Sequence, residues 1–515
     1  MEKRKGLMST TARRLISIAL DNGYQISEGA LRTIYHTEDP LGVMEGLVSY
    51  VAQNDPQALM IDENHVNTFL ETMRRSKTSV ATVEKEEPAT EETPIPRESA
   101  AALEYTSDIE IIELSREEQK IQGNVEEFRR YFHDRYVKIR NILEKRRERF
   151  LPLADAIESK DRDETAVVVS VYGKRETKRA VIIDVEDPAT RFTVTIPRSR
   201  LDIVKRSETV IPDQVIGLRL RKIGESLMVE DIFQPDVPAM GQKKLAGVPP
   251  LSTVLISDLH VGSKNFDAEA FERFLRWIKG EEDGEDEAAR VKYLVIAGDV
   301  VDGVGIYPGQ ESELELTSVE AQLSHAADLL AEIPSHIETF FSPGNHDPAR
   351  KALPQLPLPV KYQQILARHR KITFIGNPSK IRLHRRELLI YHGQSFDDII
   401  QTLPIASYSN LKQNVGAVLK TIIKARHLAP EYGKNTAIIP VPNDPLVIDQ
   451  PPDVLATGHI HVATAEKYKG IGLVNSGCWQ SQTEYQKALG LVPTDPSAVI
   501  VDLDTLDMRI KYFPA

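Results

Sequence analysis

Five short apolar runs in the second half of the chain each lead into an Asp, Asn or His, most of them beside a glycine. They are Val254-Leu255-Ile256-Ser257-Asp258-Leu259-His260, Leu294-Val295-Ile296-Ala297-Gly298-Asp299, Phe340-Phe341-Ser342-Pro343-Gly344-Asn345-His346-Asp347, Leu388-Leu389-Ile390-Tyr391-His392-Gly393 and Val454-Leu455-Ala456-Thr457-Gly458-His459-Ile460-His461. Runs of this length and composition read as buried strands, and stretches with helical patterning alternate with them. From residue 250 to residue 515 the alternation predicts a layered α/β sandwich. In open α/β sheets, sites form beyond the carboxyl ends of strands. A ligand-type residue at five such ends therefore constrains fold and chemistry together.

The donors are nitrogen and oxygen, with no thiolate. That set suits a pair of divalent ions, Mn first, with Fe, Zn and Mg as alternatives. Asp258 and His260 lie two residues apart, and so do His459 and His461, so each pair can reach one site as its strand opens into a loop. A phosphodiester is anionic and repels hydroxide. Two metals neutralise it, activate a water and align the attacking and leaving oxygens. One carboxylate must bridge them, and Asp299 is the natural candidate. Asp258, His260, Asp299 and His461 are assigned to one ion, and Asp299, Asn345, His392 and His459 to the other. His346 follows a ligand directly and is the candidate general acid. Asp347 is placed to orient a ligand, and the glycines permit close backbone approach. His36, His65, His133, His325, His336, His369 and His384 lack the strand-end context and are read as surface or core residues.

A chain of 515 residues is too long for one core, so several domains are expected. Residues 1–75 read as a helical interaction domain, with breaks at Asn22-Gly23, Asp39-Pro40 and Asn54-Asp55-Pro56 and a last helix from near Asp62 to Arg74-Arg75. Residues 76–104 are rich in Ser, Thr, Glu, Pro and Ala and read as a disordered linker. A connecting helical region follows over 105–160. Its helix is expected from Asn124 to Phe150, opened by an Asn124/Glu127 capping box and striped by Val125, Phe128, Phe132, Ile139 and Leu143. Over 161–240, short strands near 167–172, 180–185, 192–196, 215–220 and 227–233 predict a small barrel, with five strands fitting an OB-fold. Lys174, Arg175, Lys178 and Arg179 on it are candidates for tracking phosphates.

The net charge of −12 argues against a protein that coats duplex DNA. Its acidic runs, near Glu84 to Glu98 and Glu281 to Glu287, read as solvated surface. No apolar stretch reaches membrane-spanning length, no secretory h-region follows Met1-Glu2-Lys3-Arg4-Lys5, and the single Cys478 excludes an internal disulfide; a cytoplasmic location is expected.

The five motifs resemble those of the calcineurin-like metallophosphoesterase superfamily, and no ligand position is missing. Two further stretches, Arg426-His427-Leu428-Ala429-Pro430-Glu431-Tyr432-Gly433 and Asn475 to Gln486, resemble the small-subunit family of the archaeal family D replicative DNA polymerases. The resemblance implies a multi-domain α/β + β chain: a metallophosphoesterase β-sandwich flanked by helices, preceded by an OB-fold and an N-terminal helical domain. It implies a 3′-to-5′ proofreading exonuclease acting on single-stranded DNA or a primer 3′ end, in a heterodimer with a large catalytic subunit. A free-standing repair nuclease, a non-catalytic scaffold subunit and a protein phosphatase are the alternatives. His427 is expected in a structural or subunit-contact role. Trp479 and Tyr485 are candidates for base stacking, with core or interface packing the expected use.

Overall fold

The computed structural model describes residues 14–16, 18–19, 24–37, 40–54, 60–78, 100–112, 121–146, 148–239, 245 and 247–514. The basic segment Met1 to Lys5, the Asn22-Gly23 break and most of the expected linker, including Glu84 to Glu98, lie outside the described residues. The chain divides into two compact units, Met1–Pro96 and Arg97–Ala515. No helix among the described residues is long and apolar enough to cross a membrane.

In the first unit, helices span Glu28–Tyr35, Pro40–Asn54 and Glu63–Thr78. The Ser27 side chain accepts from the Ala30 N–H at 3.2 Å and opens the first helix. Pro40, with no N–H to leave unpaired, opens the second. Strands β1 (Gln25–Ile26) and β2 (Met60–Ile61) pair in parallel. Leu15, Ile34, Leu47, Val51, Ile61 and Val66 form its core. The last helix runs past Arg74-Arg75 to Thr78, because nothing in Ser76-Lys77-Thr78 stops a helix.

The second unit begins with two departures from expectation. Ala101–Glu104, placed in the linker by composition, is a 3₁₀ turn whose Ala102 is buried and donates to the Ala289 carbonyl at 2.8 Å. Strand β3 (Ile109–Ile112), placed in a helical region, pairs antiparallel along the edge of a sheet formed far downstream. Four residues are too few to carry a period, and here the sheet edge supplies the order. The Asn124/Glu127 capping box is present. The helix it opens spans Val125–Glu144 and stops short of Phe150, which joins Leu151 in β4 (Phe150–Leu151) against the barrel. Val125 is 85% exposed and off the stripe; the buried face is Tyr131, Arg135, Tyr136, Ile139 and Leu143.

The barrel strands are β5 (Glu164–Glu176), β6 (Ala180–Glu186), β7 (Arg191–Pro197), β8 (Val215–Ile223) and β9 (Ser226–Phe233). Their order is β5-β6-β7-β9-β8, and β8 returns to pair with β5, closing the sheet. Alternate residues point inward, as in Val167, Val169, Val171 and Val181, Ile183, Val185.

The remaining strands are β10 (Ser252–Ile256), β11 (Val291–Ala297), β12 (Glu338–Ser342), β13 (Ile372–Phe374), β14 (Ser379–Leu383), β15 (Arg386–Ile390), β16 (Val454–Thr457), β17 (Thr464–Tyr468), β18 (Ile471–Asn475), β19 (Ser497–Asp502) and β20 (Met508–Tyr512). They form two six-stranded sheets, ordered β13-β12-β11-β10-β19-β20 and β17-β18-β16-β15-β14-β3. Leu255, Val295, Phe340, Ile390, Ala456 and Val474 meet in one core between the sheets. Their sequence neighbours face outward under helices: Val254, Ile256, Leu294 and Phe341 on one side, Leu389, Leu455 and Leu473 on the other. Covering both faces is what makes these strands continuous apolar runs. Each fully buried aliphatic contributes about 1.5–3 kcal/mol.

Candidate metal centre

Strands β10, β11 and β12 run parallel in one sheet, and β15 and β16 run parallel in the other. The loops after their carboxyl ends carry every expected ligand. Three groups of donor atoms gather, each within 4.8 Å: Asp258, His260 and His461; Asp299, His392 and His459; and His260, Asp302 and His346. The first two bring together three of the four residues assigned to each ion; Asp299, expected in both, lies only in the second. Asn345 joins the second, its Oδ1 3.0 Å from His392 Nε2. Asp299 Oδ2 lies 3.1 Å from the same nitrogen. In the first group, His260 Nε2 and His461 Nε2 are 3.1 Å apart, and Asp258 Oδ1 is 3.4 Å from His461 Nε2.

The backbone is bent to achieve this. Asp258, His260, Asp299, His459 and His461 have φ of 54°, 52°, 53°, 74° and 55°, a left-handed conformation costing non-glycine residues about 1–3 kcal/mol each. The surrounding hydrogen bonds hold them there. Asp258 N donates to the Gly298 carbonyl at 2.9 Å, His260 N to the Asp299 carbonyl at 3.1 Å and His459 N to Asp258 Oδ2 at 2.9 Å. Asp347, fully buried, takes on the role expected of it: Oδ2 accepts from the N–H groups of Asp299 and Gly344 at 2.8 Å each, and Oδ1 accepts from Val300 N at 3.1 Å. At Gly344 a Cβ would overlap the Asp299 side chain, and at Gly458 that of Asp258.

The residues fit divalent cations. Asp258 Oδ1 is buried and accepts no hydrogen bond, although a carboxylate oxygen out of water needs a positive partner. His392 Nδ1 lies 2.8 Å from the Ala297 carbonyl; donating there leaves the Nε2 lone pair facing the site. Burial works against charge on His392 and His461, yet nearby groups, Asp299 for His392 and Cys478 with Asp258 for His461, push the imidazoles up to about 9 and about 10. The potential that draws a proton onto these rings also draws a cation. Burial and the Asp299 charge raise the Asp347 carboxyl to about 6.

His346 lies beside the first two groups. Its ring centroid is 4.6 Å from that of His260, and its Nδ1 is 2.7 Å from the Asp302 carbonyl. Burial pushes its imidazole down to about 4. Trp479 is fully buried against Phe271 and Phe274, as packing predicts. Tyr485 is not packed away: it is 55% exposed. His427 is buried, its Nε2 2.8 Å from Asp444 Oδ2, which also accepts from Arg135 at 2.9 Å. That places His427 in a structural network. Of the unassigned histidines, His384 pairs with the Tyr293 hydroxyl at 2.7 Å, away from the ligand groups.

Sequence reasoning missed three partners of the ligands. Asp302 Oδ1 lies 3.0 Å from His260 Nδ1, Asp397 Oδ2 lies 3.0 Å from His459 Nε2, and the Gln486 amide lies 2.7 Å from His461 Nδ1. Asp302 alone carried a local signal, a second Asp beside a glycine shortly after Gly298-Asp299. The barrel cations go the other way. Lys174 donates to the carbonyls of Ser207 and Val210 and so is not presented to a phosphate chain; Arg175 pairs with Asp184 while staying exposed, and Lys178 and Arg179 sit exposed at the β5–β6 hairpin.

Residues 253–465, a span holding all seven candidate ligands, match the family model that describes the B subunits of DNA polymerases alpha and epsilon. The chain is 35% identical to a DNA polymerase II small subunit of Methanothermobacter thermautotrophicus over 92% of this chain and 94% of that one. To the Archaeoglobus fulgidus protein of the same description it is 34% identical over 91% and 92%. For the longer Pyrococcus furiosus relative the identity is 38%, over 74% of this chain and 62% of that one. Among solved structures, an archaeal phosphodiesterase aligns with 51% of this chain and 99% of its own, at 12% identity and a TM-score of 0.25.

Proposed function

Since the chain belongs to the family of DNA polymerase II small subunits, we propose that it is the 3′-to-5′ exonuclease of a two-subunit replicative DNA polymerase, hydrolysing phosphodiesters at a two-metal site. One observation carries the reading: two separate donor groups converge beyond the strand ends, with His346 beside them. Asp258, His260, Asp299 and His461 would hold one ion, and Asp299, Asn345, His392 and His459 the other. Bound there, the ions would activate water and neutralise the phosphate.

The chain's own groups do the rest. Asp347 fixes the Asp299 backbone, which would keep in place a carboxylate shared by the two ions. The His346 Nδ1–H donates to the Asp302 carbonyl, which leaves Nε2 free to meet a substrate oxygen. An anionic phosphate against Nε2 favours the imidazolium, which then protonates the leaving oxygen. The strand order of the barrel supports the OB-fold reading, and its paired cations favour a partner-contact role over DNA binding. The expected partner is the large catalytic subunit, with the N-terminal helices as a docking module.

The test is degradation of a 3′-labelled single strand in Mn²⁺ by the purified chain. Release of mononucleotides from the 3′ end is expected. Metal-loaded protein that leaves DNA intact but hydrolyses phosphopeptides would replace this reading with the phosphatase one.

A further inference from the structure

Tyr307 and Tyr485 stack on each other at the metal centre, ring centroids 5.6 Å apart and planes 24° off parallel. The Tyr307 ring is 6.5 Å from that of His346. Both tyrosines are anchored to the ligands through amide side chains. Beside Tyr485, Gln486 reaches His461 Nδ1 at 2.7 Å, and a Thr483/Gln486 capping box fixes the turn. Near Tyr307, the buried Gln310 accepts from Ile306 N at 2.8 Å and donates to the Asp302 carbonyl at 2.8 Å and to its Oδ2 at 2.9 Å. Asp302 in turn holds His260. The Tyr307 hydroxyl donates to Glu313 at 3.4 Å.

Core packing does not account for the pair, because Tyr485 is 55% exposed. The Tyr307 hydroxyl is engaged by Glu313 rather than by a ligand group. What remains is a rigid aromatic face, held at fixed distance from the proposed proton donor. We propose that the Tyr307–Tyr485 stack is a nucleobase subsite that receives the base flanking the scissile phosphate and so selects unpaired strand ends. The proposal rests on the phosphodiesterase reading above. A paired base is stacked within its duplex and cannot offer its face to a protein ring; an unpaired one can. Stacking is tolerant of sequence because every base has a π face, as a proofreading site requires.

The experiment compares two short single strands, identical except that one ends in two abasic nucleotides. Anisotropy in EDTA reads binding, and hydrolysis in Mn²⁺ reads kcat/KM. Wild type is expected to favour the base-bearing strand by ~10-fold or more in both. In Tyr485→Ala most of that ratio disappears, and in Tyr485→Phe it is kept. A Tyr485→Ala variant with the wild-type ratio, or a wild type with no preference, overturns the subsite while leaving the hydrolase intact. If wild type hydrolyses neither strand, the phosphodiesterase reading fails and the subsite fails with it.

Discussion

The metal centre and the barrel are built from similar raw material, polar side chains on β-scaffolds, and they use it in opposite ways. On the barrel, Arg175, Arg198, Arg200, Arg206 and Arg221 face Asp184, Glu176, Glu230, Asp231 and Glu164. Charge there is cancelled locally, on regular backbone, for at most about 1 kcal/mol a pair. In the candidate metal centre, five proposed ligands sit on left-handed backbone and one buried carboxylate oxygen is left without a hydrogen bond. Strain and unmet polarity persist only where other interactions over-determine them, and there they mark chemistry. Charged residues on a subunit of a DNA polymerase family thus say little until their partners are known.

The contrast breaks most easily at Asp299. Asp299→Ala is expected to reduce hydrolysis by at least roughly a thousand-fold, since several kcal/mol of metal stabilisation depart. Bound metal, measured by elemental analysis, falls with it; full activity with full metal would remove the bridge. Next, His346→Ala should slow turnover by roughly 10²–10⁴-fold while metal content stays at the wild-type level. A variant as fast as wild type takes His346 out of the mechanism.

The joint between the two regions sharpens the comparison through pH. The helix Val125–Glu144 packs on the barrel by Tyr136 and Ile139 and reaches Asp444 by Tyr131 and Arg135. His427 shares that carboxylate, and burial, with Arg135 nearby, pushes its imidazole down from 6.5 to about 4. The folded state therefore resists a proton that the unfolded chain accepts. Stability from this group is complete above pH 6.5 and is lost as pH falls toward 4, by about 3 kcal/mol in all. Urea melts across that window should show a shallower slope in His427→Gln; an identical slope refutes the assignment.

Two smaller effects complete the series. Asp302→Asn removes the carboxylate that orients His260, and a ~10- to 100-fold weaker Mn²⁺ dependence of hydrolysis is expected. Unaltered Mn²⁺ titration would make Asp302 a bystander. On the barrel, Lys178→Ala combined with Arg179→Ala should change DNA hydrolysis by less than about twofold, in keeping with the small value of exposed charges. A large loss, greatest at low salt and shrinking as salt is raised, would show that the barrel tracks phosphates after all.

The ligands were legible because each is tied to a local signal: an apolar run covered on both faces, then a donor residue, then the next strand. Period and composition show that without tertiary information, as in Leu294 to Asp299. Asp397, Gln310 and Gln486 carried no such mark. Their partners are His459, Asp302 and His461, which their own neighbourhoods in sequence do not announce, and a lone Asp or Gln looks the same on any loop. The capping box at Asn124 was readable, but the end of its helix was not, because Phe150 is claimed by β5 rather than by its own turn.

By itself, then, the sequence carried the alternating α/β pattern of residues 250–515, the five strands near 167–233 and the seven candidate donors, since all rest on hydrophobic period and residue type over a few positions. The tertiary structure alone decided that Ile109–Ile112 joins a distant sheet edge, that Lys174 is used inward while Arg175 pairs with Asp184 on the surface, and that Tyr485 stands exposed beside Tyr307. Those outcomes depend on which groups remain unpaired after folding, and a chain reveals its unpaired groups only once every other contact has formed.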